Sequence, residues 1–380
     1  MEPERQWCGH EFCPDFGKVG AGNIKVYSYA ERRYYCTTCG HTFSADKGTF
    51  FEMLRTDRQT ILDALAMLVE RNSLRATGRV KHLKPDTVLH WLDLAGQHAA
   101  AVSDQLIHNL HVSQAQVDEL WTFVKKKQEH LQPDDPPDVG DMWIWKAIAL
   151  PSRLRVVSHL SHEPFALSRS GRSGSEEEAT AFLAKFKART DGCAPLFTSD
   201  KLPAYVLALI ANYSTPELPP VKRRVGRPRK EPRRILDPQL CYAQVDKRRQ
   251  GGRVVEVRRH ILFGSADAIV RILEADGCGS RINISYVERD NLTSRQSNGR
   301  LVRKTLSHSK KVYFLQCQID LEDAVFNLVR PHRALSIELP RPTTHGRKRQ
   351  QHTPAMAAGL TDHIWSLEEL LSYRLPPWRH

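Results

Sequence analysis

The sequence predicts an α/β protein in which a mixed sheet flanked by helices follows two small units, one stapled by metal and one helical. Three observations predict it. Four of the eight cysteines crowd into the first 40 residues as two close pairs. Ile61, Leu62, Leu65, Leu68 and Val69 then recur at helical spacing. From Gln116 on, short runs of β-branched and aromatic residues, bounded by Pro, Gly or Asp, are followed by a helical stretch and another strand.

Residues 1–50 are rich in Cys, Gly and aromatic side chains, leave little room for an apolar core, and read as a zinc ribbon. Residues 51–110 read as a helix-turn-helix. Leu83 to Pro85 part a short helix from a longer one through Val88, Leu89, Trp91, Leu92 and Leu94, and Pro85 suits its first turn. Residues 111–335 form the α/β unit. Its strands are Gln116 to Lys126, Met142 to Leu150 and Leu154 to Leu160; Ser175, with Glu176 to Glu178 behind it, caps a helix to about Ala188. The apolar run Leu196 to Ser199 then ends at Asp200. An insertion at about 213–263 opens on a proline-rich, basic arm and closes on a strand, Val254 to Phe263, after the Gly251-Gly252 turn. Two helices between Asn283 and Val329 break near Ser307 to Ser309, and 336–380 is a tail with one helix near Ser366 to Tyr373.

Charge narrows the function. Lys and Arg exceed Asp and Glu by 13 over 380 residues, with a pI near 9.4. The excess is local: between Val221 and His260, 14 Lys and Arg face four Asp and Glu. So dense a basic block faces a polyanion, because each cation set on a phosphate releases counterions. No apolar run approaches the ~18 residues of a membrane span, and the charged start, Met1 to Gln6, is no secretory signal. The expected setting is a reducing, cytoplasmic, prokaryotic one, on the nucleoid.

Cys8-x4-Cys13 and Cys36-x2-Cys39 give two thiolate pairs on tight turns, able to surround one structural Zn²⁺. His10, inside the first pair, is an alternative to one thiol. Arg71, Arg75, Arg79, Lys81, His82 and Lys84 line the approach to the longer helix, as a phosphate-contacting edge would. Lys222, Arg223 and Arg224 precede Gly226-Arg227-Pro228-Arg229-Lys230, which resembles an AT-hook: Gly lies close to a groove floor, Pro holds the chain extended, and the guanidinium groups suit a narrow minor groove.

Cleavage of a phosphodiester by two metals needs carboxylates converging from separate elements. Asp118 lies in a strand, Asp200 at the end of another, and Glu288 near the start of a helix. Two strand acids and one helix acid are the ligand set of a ribonuclease-H-like nuclease, holding two Mg²⁺ or Mn²⁺. Arg295, nearly two turns after Glu288, projects from the same helix face and could clamp a phosphate there. Glu119 and Asp290 adjoin the set and are easily mistaken for members of it.

VDELWTFVKKK (117–127), TSDKLPAY (198–205) and YVERDNLTSRQSNGRLVRKTLSHSK (286–310) resemble the DDE transposases of insertion sequence one and its relatives, as do the cysteine pairs with YYCTTCGHTFS (34–44). The likeness runs along nearly the whole chain. It implies a ribonuclease-H-like core that binds transposon ends, cleaves them with divalent metals and joins the 3′-hydroxyls to target DNA. It makes Asp118, Asp200 and Glu288 the acids, Arg295 the basic residue after them, and Asn291 and Gln296 supporting residues. Two departures stand out: the long interval from Asp200 to Glu288, and NLVRPHRAL (327–335) with HTPAMAAGL (352–360), which resembles the ending of integrase-like transposases. The mechanism implied is in-line displacement with no covalent protein–DNA intermediate and no ATP, by at least a homodimer on DNA. The alternatives are a non-catalytic transcription regulator derived from such an enzyme and a structure-selective nuclease.

Overall fold

The computed structural model describes residues 1–162, 174–217, 233–341, 346 and 348–375. Its first unit is a three-stranded antiparallel sheet, β1 (Ile24–Ser28), β2 (Arg33–Cys36) and β3 (Thr42–Ser44), packed on the four amino-terminal cysteines. Three helices follow: α1 (Arg58–Val69), α2 (Leu74–Lys81) and α3 (Pro85–Leu106). Asp57 and Ser73 cap α1 and α2 by accepting from the amides of Thr60 and Ala76, and Pro85 opens α3. At Gly78 a Cβ would lie 2.6 Å from the Leu83 carbonyl oxygen, so this glycine permits the close return from α2 to α3.

The central sheet has six strands. In chain order these are β4 (Gln114–Val124), β5 (Gly140–Leu150), β6 (Leu154–His162) and, after α4 (Gly174–Arg189), β7 (Leu196–Ser199). After α5 (Ala204–Asn212) a small ribbon forms from β8 (Ser214–Glu217) and β9 (Arg233–Leu236), and β10 (Cys241–Gln250) and β11 (Arg253–Phe263) complete the sheet. The strand order is β11-β10-β7-β4-β5-β6. β4, β5 and β6 form an antiparallel meander, β7 is parallel to β4, β10 is parallel to β7, and β11 returns antiparallel. This mixed sheet flanked by helices is compatible with a ribonuclease-H-like core.

Alternation along the strands sorts side chains to the two faces. Leu120, Met142 and Ile144 face Leu315 and Ile319 of α8 (Val312–Ala324), while Ile148 and Val245 meet Ile284 and Val287 at the start of α7 (Ser285–Ser297). Between β11 and α7 runs α6 (Ala266–Ala275), whose Ile269 and Leu273 cover Leu196 and Ala243. On the opposite face Trp145 packs against Phe182 of α4 and edge-on to Tyr205 of α5, at 6.0 and 5.7 Å.

The helices after the ribbon share this core. One cluster of buried side chains runs from Phe50 and Phe51 through α1 and α3 to α8 and to α9 (Pro354–Ala357) and α10 (Leu367–Ser372). A Cβ on Gly96 of α3 would lie 2.5 Å from Cys317 of α8, so the two helices meet backbone to backbone there. No helix among the described residues is long and apolar enough to cross a membrane.

Candidate active site

The strand register brings the acids together. β7 pairs with β4 in parallel as far as Gln116↔Thr198, and the same offset carried two residues further sets Asp118 beside Asp200. There β7 has ended, so β4 has lost its neighbour and its side chains can turn around the open edge. Oxygens of Asp118, Glu119 and Asp200 all lie within 4.8 Å of one another. Asp200 is held by its own loop, its Oδ1 accepting from the Leu202 amide at 3.1 Å.

Burial and like charge dominate the electrostatics. Burial, and then the charge of Asp200, push the Asp118 carboxyl up to about 7, with Glu288 adding to the rise. Burial also raises Asp200, which the charge of Glu288 pushes further up and Lys247 opposes. Glu119 is driven well above the ordinary carboxyl range, first by burial and then by Asp118 and Asp200. The buried Tyr205 hydroxyl stands beside it and opposes part of that rise. Converging carboxyl oxygens at one sheet edge suit a hard divalent cation, which would relieve the repulsion.

Glu288 stands slightly apart. It lies in the first turn of α7, near enough for its charge to act on Asp118 and Asp200, but outside the 4.8 Å group. Its carboxylate pairs with the ammonium of Lys247, from the end of β10 that overshoots β7. Asn291, one turn on, donates to Asp118 Oδ2 at 2.8 Å and so ties α7 to the first acid. Arg295 follows on the same edge, bonded to the carbonyls of Leu301 and Trp121, the latter at 2.9 Å; burial and nearby Arg303 lower it to about 10. Gln296 is exposed.

Beneath this site lies a charged network invisible in the sequence. Asp290 faces inward, takes the ammonium of Lys146 and the Nε of Arg155 at 2.8 Å, and is not part of the acid group. Arg155 also reaches Glu322 and Asp323, each at 2.9 Å, and stacks on Phe326. The network clamps α7 and α8 to β5 and β6. Of the two acids that adjoin the predicted set, Glu119 thus joins it and Asp290 does not.

The sulfurs of Cys8, Cys13, Cys36 and Cys39 also lie within 4.8 Å of one another, with Cys8–Cys39 at 3.6 Å and Cys13–Cys36 at 3.8 Å. Tetrahedral thiolates about 2.3 Å from Zn²⁺ stand about 3.8 Å apart, so the four fit that ion. Cys36 is lowered to about 7: burial raises it, but the amides of Cys39 and Thr38 and the neighbouring thiols outweigh that. His10 stacks on His41 instead of joining the cluster.

Arg71, Arg75, Arg79 and Lys84 are exposed around α2 and the start of α3, whereas Lys81 pairs with Asp63 at 2.7 Å. The rest of α3 is committed to the core through Trp91, Ala95, Ala99 and Val102. Arg223, Arg224, Gly226, Arg227, Pro228, Arg229 and Lys230 lie outside the described residues, between the paired strands β8 and β9.

No protein-family model matches this sequence, and no curated protein does. Among solved structures the chain is similar to three Mos1 transposase assemblies. They are a strand transfer complex (TM-score 0.15, 11% identity, 40% of this chain and 54% of that one), a paired-end complex with the left transposon end (0.16, 11%, 41% and 57%) and a pre-cleavage transpososome (0.15, 10%, 40% and 55%). The matched region thus spans just over half of those chains.

Proposed function

We propose that the chain is a DDE transposase: it binds the terminal repeats of a DNA element, cleaves their phosphodiester bonds and joins the freed 3′-hydroxyls to target DNA. The observation that carries the reading is the convergence of Asp118, Glu119 and Asp200 at the open edge where β7 stops, with Glu288 of α7 close enough to act on their charge. Asp118, Asp200 and Glu288 are the residues that would hold two Mg²⁺ or Mn²⁺. Bound ions of this kind would lower the pKa of a water they hold and stabilise charge on a leaving oxygen.

The chain's own residues orient the reactants. Asn291 fixes the rotamer of Asp118, and Glu119 completes the acid wall from the α5 side. Arg295, anchored on two carbonyls, offers the remainder of its five donors to a phosphate. The cysteine cluster fits a structural Zn²⁺ that staples the first unit. Arg71, Arg75, Arg79, Lys81, Lys84 and the 222–230 segment would contact DNA, and joining two ends calls for a homodimer or larger assembly in the cytoplasm of a prokaryote.

Purified protein incubated with Mg²⁺, a supercoiled plasmid and duplexes carrying the element's own ends with free 3′-hydroxyls tests this. Joined products support the transposase. Hydrolysis without joining would instead mark a nuclease, and DNA binding without either reaction a regulator.

A further inference from the structure

A second charged feature lies on the other side of α7. Glu288, Asn291 and Arg295 share one edge of the helix; Arg289 and Thr293, one turn apart, share another. That second edge borders a cavity of about 750 Å³ lined by Arg153, Arg289, Arg330, His332, Arg333 and Arg349, with no Asp or Glu among its described lining residues. Elsewhere this protein answers its buried guanidinium with carboxylates, as Arg155 shows. The nearest acid on α7, Asp290, is already taken by Lys146 and Arg155.

Three of these arginines are held in place by the protein. Arg330 bonds Ser297 Oγ at 2.8 Å and pairs with Glu70, Arg349 bonds the Ser336 carbonyl at 2.8 Å, and Arg153 lies 4.6 Å over the Tyr286 ring. Arg289 and Arg333 have no ion pair among the described residues. Converging cations gain nothing from one another; apart from Arg330 none of the lining arginines has an ion pair among the described residues, so together they form a receptor for a multivalent anion, and planar guanidinium forks match phosphate oxygens best.

We propose that this arginine cavity is a phosphate-binding site, separate from the carboxylate site and filled by either the backbone of a nucleic acid or a free phosphate compound. Its existence does not depend on metal chemistry at Asp118, so it can be measured without it.

The test uses the full chain in magnesium-free buffer, so that no divalent metal bridges DNA to the carboxylate site. A duplex of unrelated sequence is titrated by fluorescence anisotropy over a series of salt concentrations, and pyrophosphate by calorimetry. The variant is Arg289→Ala/Arg333→Ala, both exposed, with a melting curve to verify folding; Arg349→Gln is the second variant should the first not fold. If nucleic acid fills the cavity, the double variant lowers the salt slope by about 2, since each phosphate contact contributes about 0.9. If the source is a free phosphate compound, pyrophosphate binding weakens at least about 10-fold while duplex binding is unchanged. A folded variant that binds both probes as the wild type does, or a wild type that binds neither, overturns the proposal.

Discussion

Asp118 meets opposing demands: a metal site needs it charged, while its burial and its acidic neighbours favour the neutral form. The folded chain therefore keeps this proton up to about pH 7, whereas an unfolded chain loses it near the ordinary carboxyl value of 3.8. Between those limits the native state binds the extra proton, so this group's contribution to stability falls as pH rises, by an amount on the order of a few kcal/mol. Asp118→Asn removes that cost. In metal-free buffer at pH 8 the variant should melt above the wild type, and Mg²⁺, which should raise the wild-type melting temperature, should no longer do so. DNA cleavage should fall at least about 10²-fold, in the range seen when one electrostatic group of an active site is lost. A wild-type-sized Mg²⁺ shift in the variant would count against Asp118 as a ligand. At this scale the sequence was informative about type and order: Asp118 lies in β4, Asp200 directly after the end of β7, and Glu288 in the first turn of α7. It could not separate Glu119 from Asp290, because which acid turns toward the site and which toward Lys146 is decided by the strand edge and the far side of the sheet.

Among the elements, α7 matters most, since it carries Glu288, Asn291 and Arg295 on one edge and Arg289 on another. Its seat on the sheet is ionic: Asp290 lies between Lys146 and Arg155, all nearly inaccessible. Removing one partner of such a pair strands a buried charge, so Asp290→Ala should cost about 3–5 kcal/mol in urea denaturation. A loss below about 1 kcal/mol would mean that packing around Val287 alone seats the helix. The strands were legible because β4, β5 and β6 are dense in Val, Ile, Trp and Phe between turn residues. The helix α5 was not: AYVLALIAN is apolar on nearly every side, and a short run of that kind carries no period. Nor could β8 and β9 be read where proline and charge suggested only an arm; the two segments pair across it.

Over the whole molecule, the carboxy-terminal segment read from its prolines as a tail instead closes the structure. The Phe50 amide bonds the Leu371 carbonyl at 3.1 Å, the Leu375 amide bonds that of Gly48 at 3.0 Å, and Arg374 stacks on Trp7 at 4.1 Å. Chain ends meet through contacts that no local pattern announces. His98 of α3 reports on this closure. Its Nε2 lies 3.2 Å from the carbonyl oxygen of Leu370, which can only accept, so Nε2 carries the proton of a neutral ring. Burial lowers its pKa to about 4, against only a partial offset from that bond. Below its unfolded value of 6.5 the unfolded chain gains a proton that the folded one refuses, so stability falls as pH drops from 6.5 to about 4. His98→Gln keeps an N–H donor but cannot charge. Across that window its unfolding free energy should fall less steeply than the wild type's, by about one proton's worth of slope, and the gap should close above pH 7. Parallel curves for the two proteins would place His98 outside the acid response and leave the docking of α10 on α3 to Leu370 and Leu371 alone.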